Sequence, residues 1–457
     1  MESKLQKSQN QSESQIYQKN IKAYPQDAQS VFNYHKLPTI PLKDSYLIYS
    51  PFAREFALIK RHLLNEKILL RKLKKRGFFN SNPFPQEKNT LKVGLITTTA
   101  CNQKCAYCAT CAEFIGNKKI YSKKLFMDED AVILTLDKLL KKYKIEAINF
   151  MGGEPTLNMP IIKKVIDLIN NKSKKTLFSI QTNGVINKED LNYLISKGIV
   201  FSISWDGIEN DKFRASSKII KKNILKLVKK GALFKIRMTV GKWNSSNIIK
   251  SIRWLLKNGV KFIQLEPMLP EGRGSKLSDQ SLTPQEFKTI FFNTLKIVEK
   301  KKCFLINYAF ANLFSPKLFF CDSAAGKKII LNADGSISSC YKVQRRKDPL
   351  SENFIIGEYN FKKIKFKKSN FNVNSYPTCK KCAFYYLCSG ACPFENIKSN
   401  EGVDKYLCDL RSSLLMSGIL HLYSCKLKKN MCSLEGLYIM GRIAMKRKYD
   451  RLPNFMI

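Results

Sequence analysis

The chain has 457 residues, with 80 Lys plus Arg against 36 Asp plus Glu, a formal net charge of +44 and 44% hydrophobic residues. At roughly 150 residues per domain this length allows about three domains, and the apolar content excludes a wholly disordered chain. Three widely separated histidines, His35, His62 and His421, argue against a His-based zinc hydrolase, and no run reaches the roughly 18 apolar residues that span a bilayer.

Residues 1–30 are polar and rich in Gln, Ser and Asn, and read as a mobile arm. They lack the apolar stretch of an export signal, so the expected location is cytoplasmic. There, fourteen cysteines point to metal or redox chemistry rather than disulfides. The positive charge is mostly Lys and is spread along the chain. Without a compact basic block interleaved with aromatics, it reads as solvated surface rather than a nucleic-acid groove.

Residues 31–88 predict a small N-terminal element and linker. An extended stretch at 46–52 precedes a helical-period run through Leu63, Leu69, Leu70 and Leu73, which stops at Gly77; a Pro/Asn-rich link covers 80–89. From Leu91 the pattern alternates. Strands are predicted at 91–97, 146–151, 176–181, 200–204, 234–240 and 261–267, and helices at 131–143, 161–170, 188–196, 219–231 and 251–259, with another near 284–300. Six strand–helix units imply a parallel sheet, either an open barrel or a doubly wound sheet, with reactive groups at the carboxyl ends of the strands.

Cys101, Cys105 and Cys108 stand directly after the first strand, spaced C-x3-C-x2-C. Three thiolates on one loop can hold three irons of a cubane and leave the fourth without a protein ligand. Cys105, Cys108 and Cys111 alone make a ferredoxin-like C-x2-C-x2-C, but the Cys-Pro such a run needs is missing, and Cys111 reads as a bystander. Met151-Gly152-Gly153-Glu154-Pro155 leaves the second strand, Gln181-Thr182-Asn183-Gly184 the third, and Ser204-Trp205-Asp206-Gly207 the fourth, with Arg214 behind it. The two glycines would let the backbone approach a ligand closely, and Glu154 could accept from an ammonium group.

This set resembles the radical S-adenosylmethionine (radical SAM) superfamily. The resemblance implies a partial (β/α)6 TIM-like barrel over 89–302 and an S-adenosylmethionine site drawing on Tyr107, Gly152, Gly153, Glu154, Asn183, Ser204 and Arg214. It also implies a 4Fe–4S cluster on Cys101, Cys105 and Cys108.

Residues 303–412 are irregular and cysteine-rich. Cys321, Gly335-x4-Cys340, Cys379-x2-Cys382-x5-Cys388-x3-Cys392 and Cys408 resemble the SPASM domain, an auxiliary-cluster module of radical SAM peptide and protein maturases. By that resemblance Cys379, Cys382, Cys388 and Cys408 would hold one auxiliary cluster. Cys321, Cys340 and Cys392 would hold a second, with Lys327 where some relatives place a fourth cysteine. Cys303, Cys425 and Cys432 read as small buried hydrophobes. The aromatic runs 304–310 and 313–320 read as core, with a peptide channel as the alternative, and 413–457 reads as a basic, partly helical tail.

The resemblance implies reductive cleavage of S-adenosylmethionine to a 5′-deoxyadenosyl radical. That radical would take hydrogen from a peptide or protein side chain, giving oxidation or cross-linking, with flavodoxin or ferredoxin as reductant. The alternatives are a sulfatase-type protein maturase and a radical RNA modifier. The sulfatase branch carries an Asp after the second SPASM cysteine; here Tyr341 follows Cys340, and it is the candidate for a catalytic group.

Overall fold

A computed structural model describes residues 32–34, 37–63, 67–79, 89–115, 126–173, 175–314, 316–360, 364–367, 371–399, 402–428 and 432–449. The polar arm and almost all of the 80–89 link lie outside the described residues.

The N-terminal element is a meander of four antiparallel strands, β1 (Phe32–Tyr34), β2 (Leu37–Pro41), β3 (Ser45–Ser50) and β4 (Glu55–Lys60), followed by helix α1 (Lys67–Lys75). Alternation in β3 divides its side chains. Leu47 and Tyr49 join the main core, while Ile48 packs with Leu37, Leu73 and Phe78 under α1. The Tyr49 hydroxyl donates to the Leu313 carbonyl at 2.6 Å, anchoring this meander to the C-terminal half of the chain.

The barrel strands are β5 (Thr90–Thr98), β6 (Lys144–Gly152), β7 (Leu177–Thr182), β8 (Val200–Ser204), β9 (Phe234–Val240), β10 (Phe262–Pro267) and β11 (Phe304–Ile306). Their order in the sheet is their order in the chain, and all seven are parallel. A doubly wound sheet reverses direction at a switch point. This one never does, so each right-handed crossover adds a strand on the same side, as a barrel winds. Helices α2 (Glu129–Lys142), α3 (Met159–Lys172), α4 (Lys188–Ser196), α5 (Ser217–Lys229), α6 (Ile248–Lys257) and α7 (Pro284–Glu299) cover the outside.

The barrel stays open. The free edge of β5 pairs with β12 (Lys328–Leu331), and antiparallel β13 (Ser336–Ser338), β14 (Ile355–Tyr359) and β15 (Ile364–Phe366) continue the sheet. The cysteine-rich segment therefore has a β frame fused to the barrel sheet. Its strands are three to five residues long and left little periodic signal in the sequence.

Two helices end the described chain, α8 (Lys405–Leu427) and α9 (Gly436–Tyr449). The sequence division at 412/413 falls inside α8, which runs unbroken across it. Leu407, Leu410, Leu414, Leu415, Ile419 and Leu420 are buried in the main core, so this part of the expected basic tail is a core helix. Among the described residues no helix is long and apolar enough to cross a membrane.

Candidate active site at the open end of the barrel

Hydrophobic residues of the barrel strands, such as Phe150, Ile180, Phe201, Ile203, Ile236, Met238, Ile263 and Leu265, face the helices. The alternate positions carry Asn149, Ser179, Ser202, Ser204, Lys235, Arg237, Thr239, Gln264 and Glu266. Registers Asn149↔Ser179 and Ser204↔Arg237↔Gln264 set these side by side. A closed barrel of this type fills its interior with branched apolar side chains. A polar lining suits an interior that receives a polar ligand.

The three cysteines lie on the loop leaving β5. Cys101 and Cys105 are buried and Cys108 is half-buried. Neighbouring segments fix the loop by backbone hydrogen bonds: Glu113 N to Thr99 O (2.9 Å), Ile115 N to Cys101 O (3.0 Å) and Ala106 N to Phe213 O (2.9 Å). The segment after β10 closes over it. Arg273 donates from its backbone to Cys108 O (3.0 Å), and from its side chain to Cys105 O (3.0 Å) and Ala112 O (2.8 Å). Gly272 there adopts φ +54°, and a Cβ would meet the Cys108 carbonyl oxygen at 2.4 Å. Cys111, also on the loop, is exposed with φ +49°.

These residues fit an iron–sulfur cluster. Burial pushes the Cys101 thiol up to about 12, with the Glu154 carboxylate adding to it. Yet two N–H groups point at its sulfur, Gln103 N at 3.4 Å and Asn183 Nδ2 at 3.7 Å. Such donors favour the thiolate form that a metal requires.

Gly152 and Gly153 pack against the root of the cysteine loop. Their missing side chains make room for backbone: a Cβ at Gly152 (φ +140°) would stand 2.1 Å from Thr98 O, and one at Gly153 would stand 2.2 Å from Ala100 O. Gly153 N and Glu154 N donate to those carbonyls at 2.9 and 2.8 Å. The glycine pair thus seats the root of the cysteine loop.

Glu154 is fully buried. One carboxylate oxygen accepts from Thr156 N (3.2 Å), Thr156 Oγ1 (2.7 Å) and Thr182 Oγ1 (2.8 Å), and the other from Asn183 N (2.7 Å). Burial raises its pKa above the usual carboxylate range, and the hydrogen bonds oppose that rise. The carboxylate ties the ends of β6 and β7 together. Asn183 in turn donates to Asn102 Oδ1 at 2.7 Å, beside Cys101.

Arg214 and Tyr107 converge on Asp206. The Tyr107 hydroxyl donates to Asp206, Arg214 Nε lies 3.0 Å from that hydroxyl and 3.5 Å from Asp206, and Thr239 N donates to Asp206 at 2.9 Å. The Tyr107 ring stacks on Trp243 at 5.4 Å. Burial opposes the Arg214 charge, but Tyr107, Cys105 and Asp206 outweigh it and hold the guanidinium well above its usual range. Ser204, half-buried at the carboxyl end of β8, stands on the polar face. In Asp206→Asn the buried cation loses its counter-charge, and we expect a loss of about 2–3 kcal/mol, read by denaturant unfolding.

The other cysteines fall into two groups. Cys321, Cys340 and Cys392 lie near enough that a thiolate at one raises the pKa of another. The same holds among Cys379, Cys382, Cys388 and Cys408. Backbone N–H groups approach sulfur here too, Ala324 N to Cys321 (3.4 Å) and Phe384 N to Cys382 (3.3 Å). Lys327 is exposed and Cys303 is buried.

Tyr341, 45% exposed, shares its electrostatic surroundings with Cys340, Arg237 and Tyr308, so it faces the polar mouth of the barrel. The run 304–310 is core as expected except at Tyr308, which is 44% exposed.

Lys342 links the two cysteine regions. It donates to Glu271 at 2.5 Å, beside the segment that covers the cysteine loop, and to Glu395, three residues from Cys392. Burial works against its charge, but Glu271, Tyr341 and Glu395 keep it well above the usual lysine range. Lys342→Met leaves two buried carboxyls without a cation. Burial already raises Glu395, and loss of Lys342 raises it further, so the folded variant holds protons that the unfolded chain releases. The variant should therefore lose about 3 kcal/mol at neutral pH and recover part of it as pH falls. Melting curves across the carboxyl range check this.

Residues 95–271 match the Radical SAM superfamily. Among curated relatives, an uncharacterized protein of Methanocaldococcus jannaschii is 29% identical over 189 residues, 39% of this chain and 62% of that protein. The radical SAM cyclopropyl synthase TigE of Paramaledivibacter caminithermalis is 30% identical over 125 residues, 25% of this chain and 26% of its own. The match thus spans less than two thirds of either relative. Two solved structures share the fold. One is anSMEcpe with bound AdoMet (TM-score 0.58, 19% identity, covering 76% of this chain and 99% of that one). The other is Streptococcus suis SuiB bound to precursor peptide SuiA (TM-score 0.52, 14% identity, 82% and 96%). With the open parallel barrel and the three-cysteine loop at its mouth, these findings identify residues 95–271 as a domain of the radical SAM superfamily, which works with S-adenosylmethionine and a 4Fe–4S cluster.

Proposed function

We propose that this protein is a radical SAM enzyme that oxidises or cross-links a side chain of a peptide or protein. The observation carrying this reading is a polar barrel interior with thiol clusters on two sides. The three-cysteine loop caps β5, and the Cys321/Cys340/Cys392 group sits beside Tyr341, Arg237 and Tyr308. When bound, the reduced cluster and S-adenosylmethionine supply a carbon-centred radical able to take hydrogen from substrate carbon.

The chain's own residues do the rest. Cys101, Cys105 and Cys108 hold the barrel cluster, and Asn183 and Gln103 donate to the Cys101 sulfur. Glu154, Gly152 and Gly153 fix the loop, while Arg214 and Asp206 carry charge beside it, joined through the neutral Tyr107 hydroxyl. Ser204 lines the cofactor's side of the interior. Arg237, Tyr308 and Tyr341 border the path a substrate side chain takes, and Tyr341 is placed to hold or relay a proton. Cys321, Cys340 and Cys392, and Cys379, Cys382, Cys388 and Cys408, would hold auxiliary clusters, which would supply electron-acceptor chemistry there, and flavodoxin or ferredoxin would be the reductant. A peptide substrate is supported by likeness of fold to SuiB with its precursor peptide and to anSMEcpe with a Kp18Cys peptide.

The test incubates the reconstituted, dithionite-reduced protein with S-adenosylmethionine and with peptides from the short reading frames flanking its gene. A peptide that raises 5′-deoxyadenosine formation and loses two mass units supports the reading. Cofactor cleavage unaffected by every such peptide, but stimulated by RNA, overturns it.

A further inference from the structure

Three side chains gather at a place that neither the barrel cluster nor the auxiliary groups use. His421 and Cys425 stand one turn apart on α8, and Cys432 follows that helix, just before the turn Ser433–Glu435. Their ligand atoms all lie within 4.8 Å of one another. Glu299, the last residue of α7, brings its Oε1 to 2.7 Å from His421 Nε2, and the Cys425 sulfur lies 3.4 Å from the same nitrogen. The sequence left both cysteines as spare hydrophobes and His421 as an isolated histidine. The fold brings the four together.

A neutral imidazole nitrogen offers one N–H or one lone pair, in one direction in the ring plane. It cannot serve a carboxylate and a sulfur equally. A cation bound by Nε2 and the two sulfurs satisfies all three ligands, and would replace the hydrogen bond between Nε2 and Glu299. In a tetrahedral zinc site, Zn–S near 2.3 Å and Zn–N near 2.0–2.1 Å set N···S at about 3.5 Å, close to the separation between His421 and Cys425. Two thiolates and an imidazole select zinc over hard cations such as calcium or magnesium. Cys425 and Cys432 are buried, whereas the side chains of His421 and Glu299 are 22% and 24% exposed, which leaves a way in.

We propose that His421, Cys425 and Cys432 bind one zinc ion in a structural site, with Glu299 beside it. The metal joins α8 to the segment that starts α9, beside the last barrel helix. Met440 of α9 packs with Leu233, Phe262 and Ile306, so α9 covers β11, the outer strand of the barrel sheet. The zinc therefore pins the end of the described chain across the open edge of the barrel, which would otherwise offer unpaired backbone groups.

The full-length protein, purified anaerobically with its clusters in place, is analysed for metals by mass spectrometry. We expect about one zinc per chain in addition to iron. The Cys425→Ala/Cys432→Ala variant should lose at least about tenfold of that zinc with iron unchanged, and Cys303→Ala should retain it. If the double variant fails to fold, His421→Asn is read by competition with a chromophoric chelator and should bind zinc at least about tenfold more weakly. Four results would overturn the proposal. These are no zinc retained after incubation with stoichiometric zinc, zinc kept by the double variant, affinity unchanged in His421→Asn, and an intact mass two units low, marking a Cys425–Cys432 disulfide. Zinc content is read apart from cofactor cleavage, so this test fails or succeeds independently of the proposed activity.

Discussion

The variant Cys101→Ala/Cys105→Ala/Cys108→Ala is expected to form no 5′-deoxyadenosine while keeping its auxiliary iron. The three positions lie on a loop held by Phe213, by Arg273 and by its own return segment at Glu113 and Ile115, through contacts that use the loop's backbone groups rather than its sulfurs. Removing the thiols deletes the metal ligands and leaves the scaffold. The two other cysteine groups draw on residues 321–408 and share no ligand with this loop, so their iron should survive, the total falling from about twelve to about eight per chain if each group carries a four-iron cluster. Iron analysis and cluster absorbance, run beside chromatographic detection of 5′-deoxyadenosine, check both halves. Product formed by the triple variant would mean that the cofactor is cleaved elsewhere.

The second large effect is expected from Gly153→Ala, which adds a single methyl group. That carbon would stand 2.2 Å from the Ala100 carbonyl oxygen and 2.7 Å from the Thr99 oxygen, and both are backbone that no rotamer can move. Either the loop root shifts or the turn after β6 does, and each breaks the hydrogen bonds from Gly153 N and Glu154 N. A loss on the order of 4 kcal/mol follows from the overpacking and the broken bonds together. Barrel-cluster iron should be lost with it while auxiliary iron persists. Normal cluster content in this variant would show that the glycine pair does not seat the cysteine loop.

How much could be read beforehand depended on how each element is buried. Six of the seven barrel strands and their helices were legible because each helix buries one face. The sequence there alternates between period two and period 3.6 without long interruption, as in Phe234–Val240 followed by the helix of Ile248–Lys257. The polar interior was visible in the same strand, where Lys235, Arg237 and Thr239 alternate with apolar residues, but it acquires meaning only once the register sets Arg237 beside Ser204 and Gln264. Helix α8 was misjudged because it is enclosed on several sides, so its leucines do not form one stripe and no amphipathic pattern marks its full span. The strands β12–β15 were missed because short antiparallel strands are set by their partners more than by local preference.

The candidate site divides in the same way. Cysteine spacing along a loop is local, and the sequence carries it. The partnership of Asp206 with Tyr107 and Arg214 joins residues from different βα loops, and Asp206-Gly207 taken alone is an ordinary turn. Gly152 and Gly153 were legible only in part for a related reason. A missing Cβ announces close approach but does not say to what, and here the neighbour is the protein's own backbone. His421 and Cys425, four residues apart, were a visible helical pair. Nothing local ties them to Glu299, 122 residues upstream of His421.

The central claim is that the Cys101/Cys105/Cys108 loop holds a cluster with one iron left open for S-adenosylmethionine. The most direct measurement is the electron paramagnetic resonance spectrum of the anaerobically reduced protein before and after that cofactor is added. We expect the signal of one cluster to shift on addition, and that signal to be absent from the triple alanine variant, while the remaining signals stay as they were. A spectrum that the cofactor leaves unchanged in every component would contradict the account.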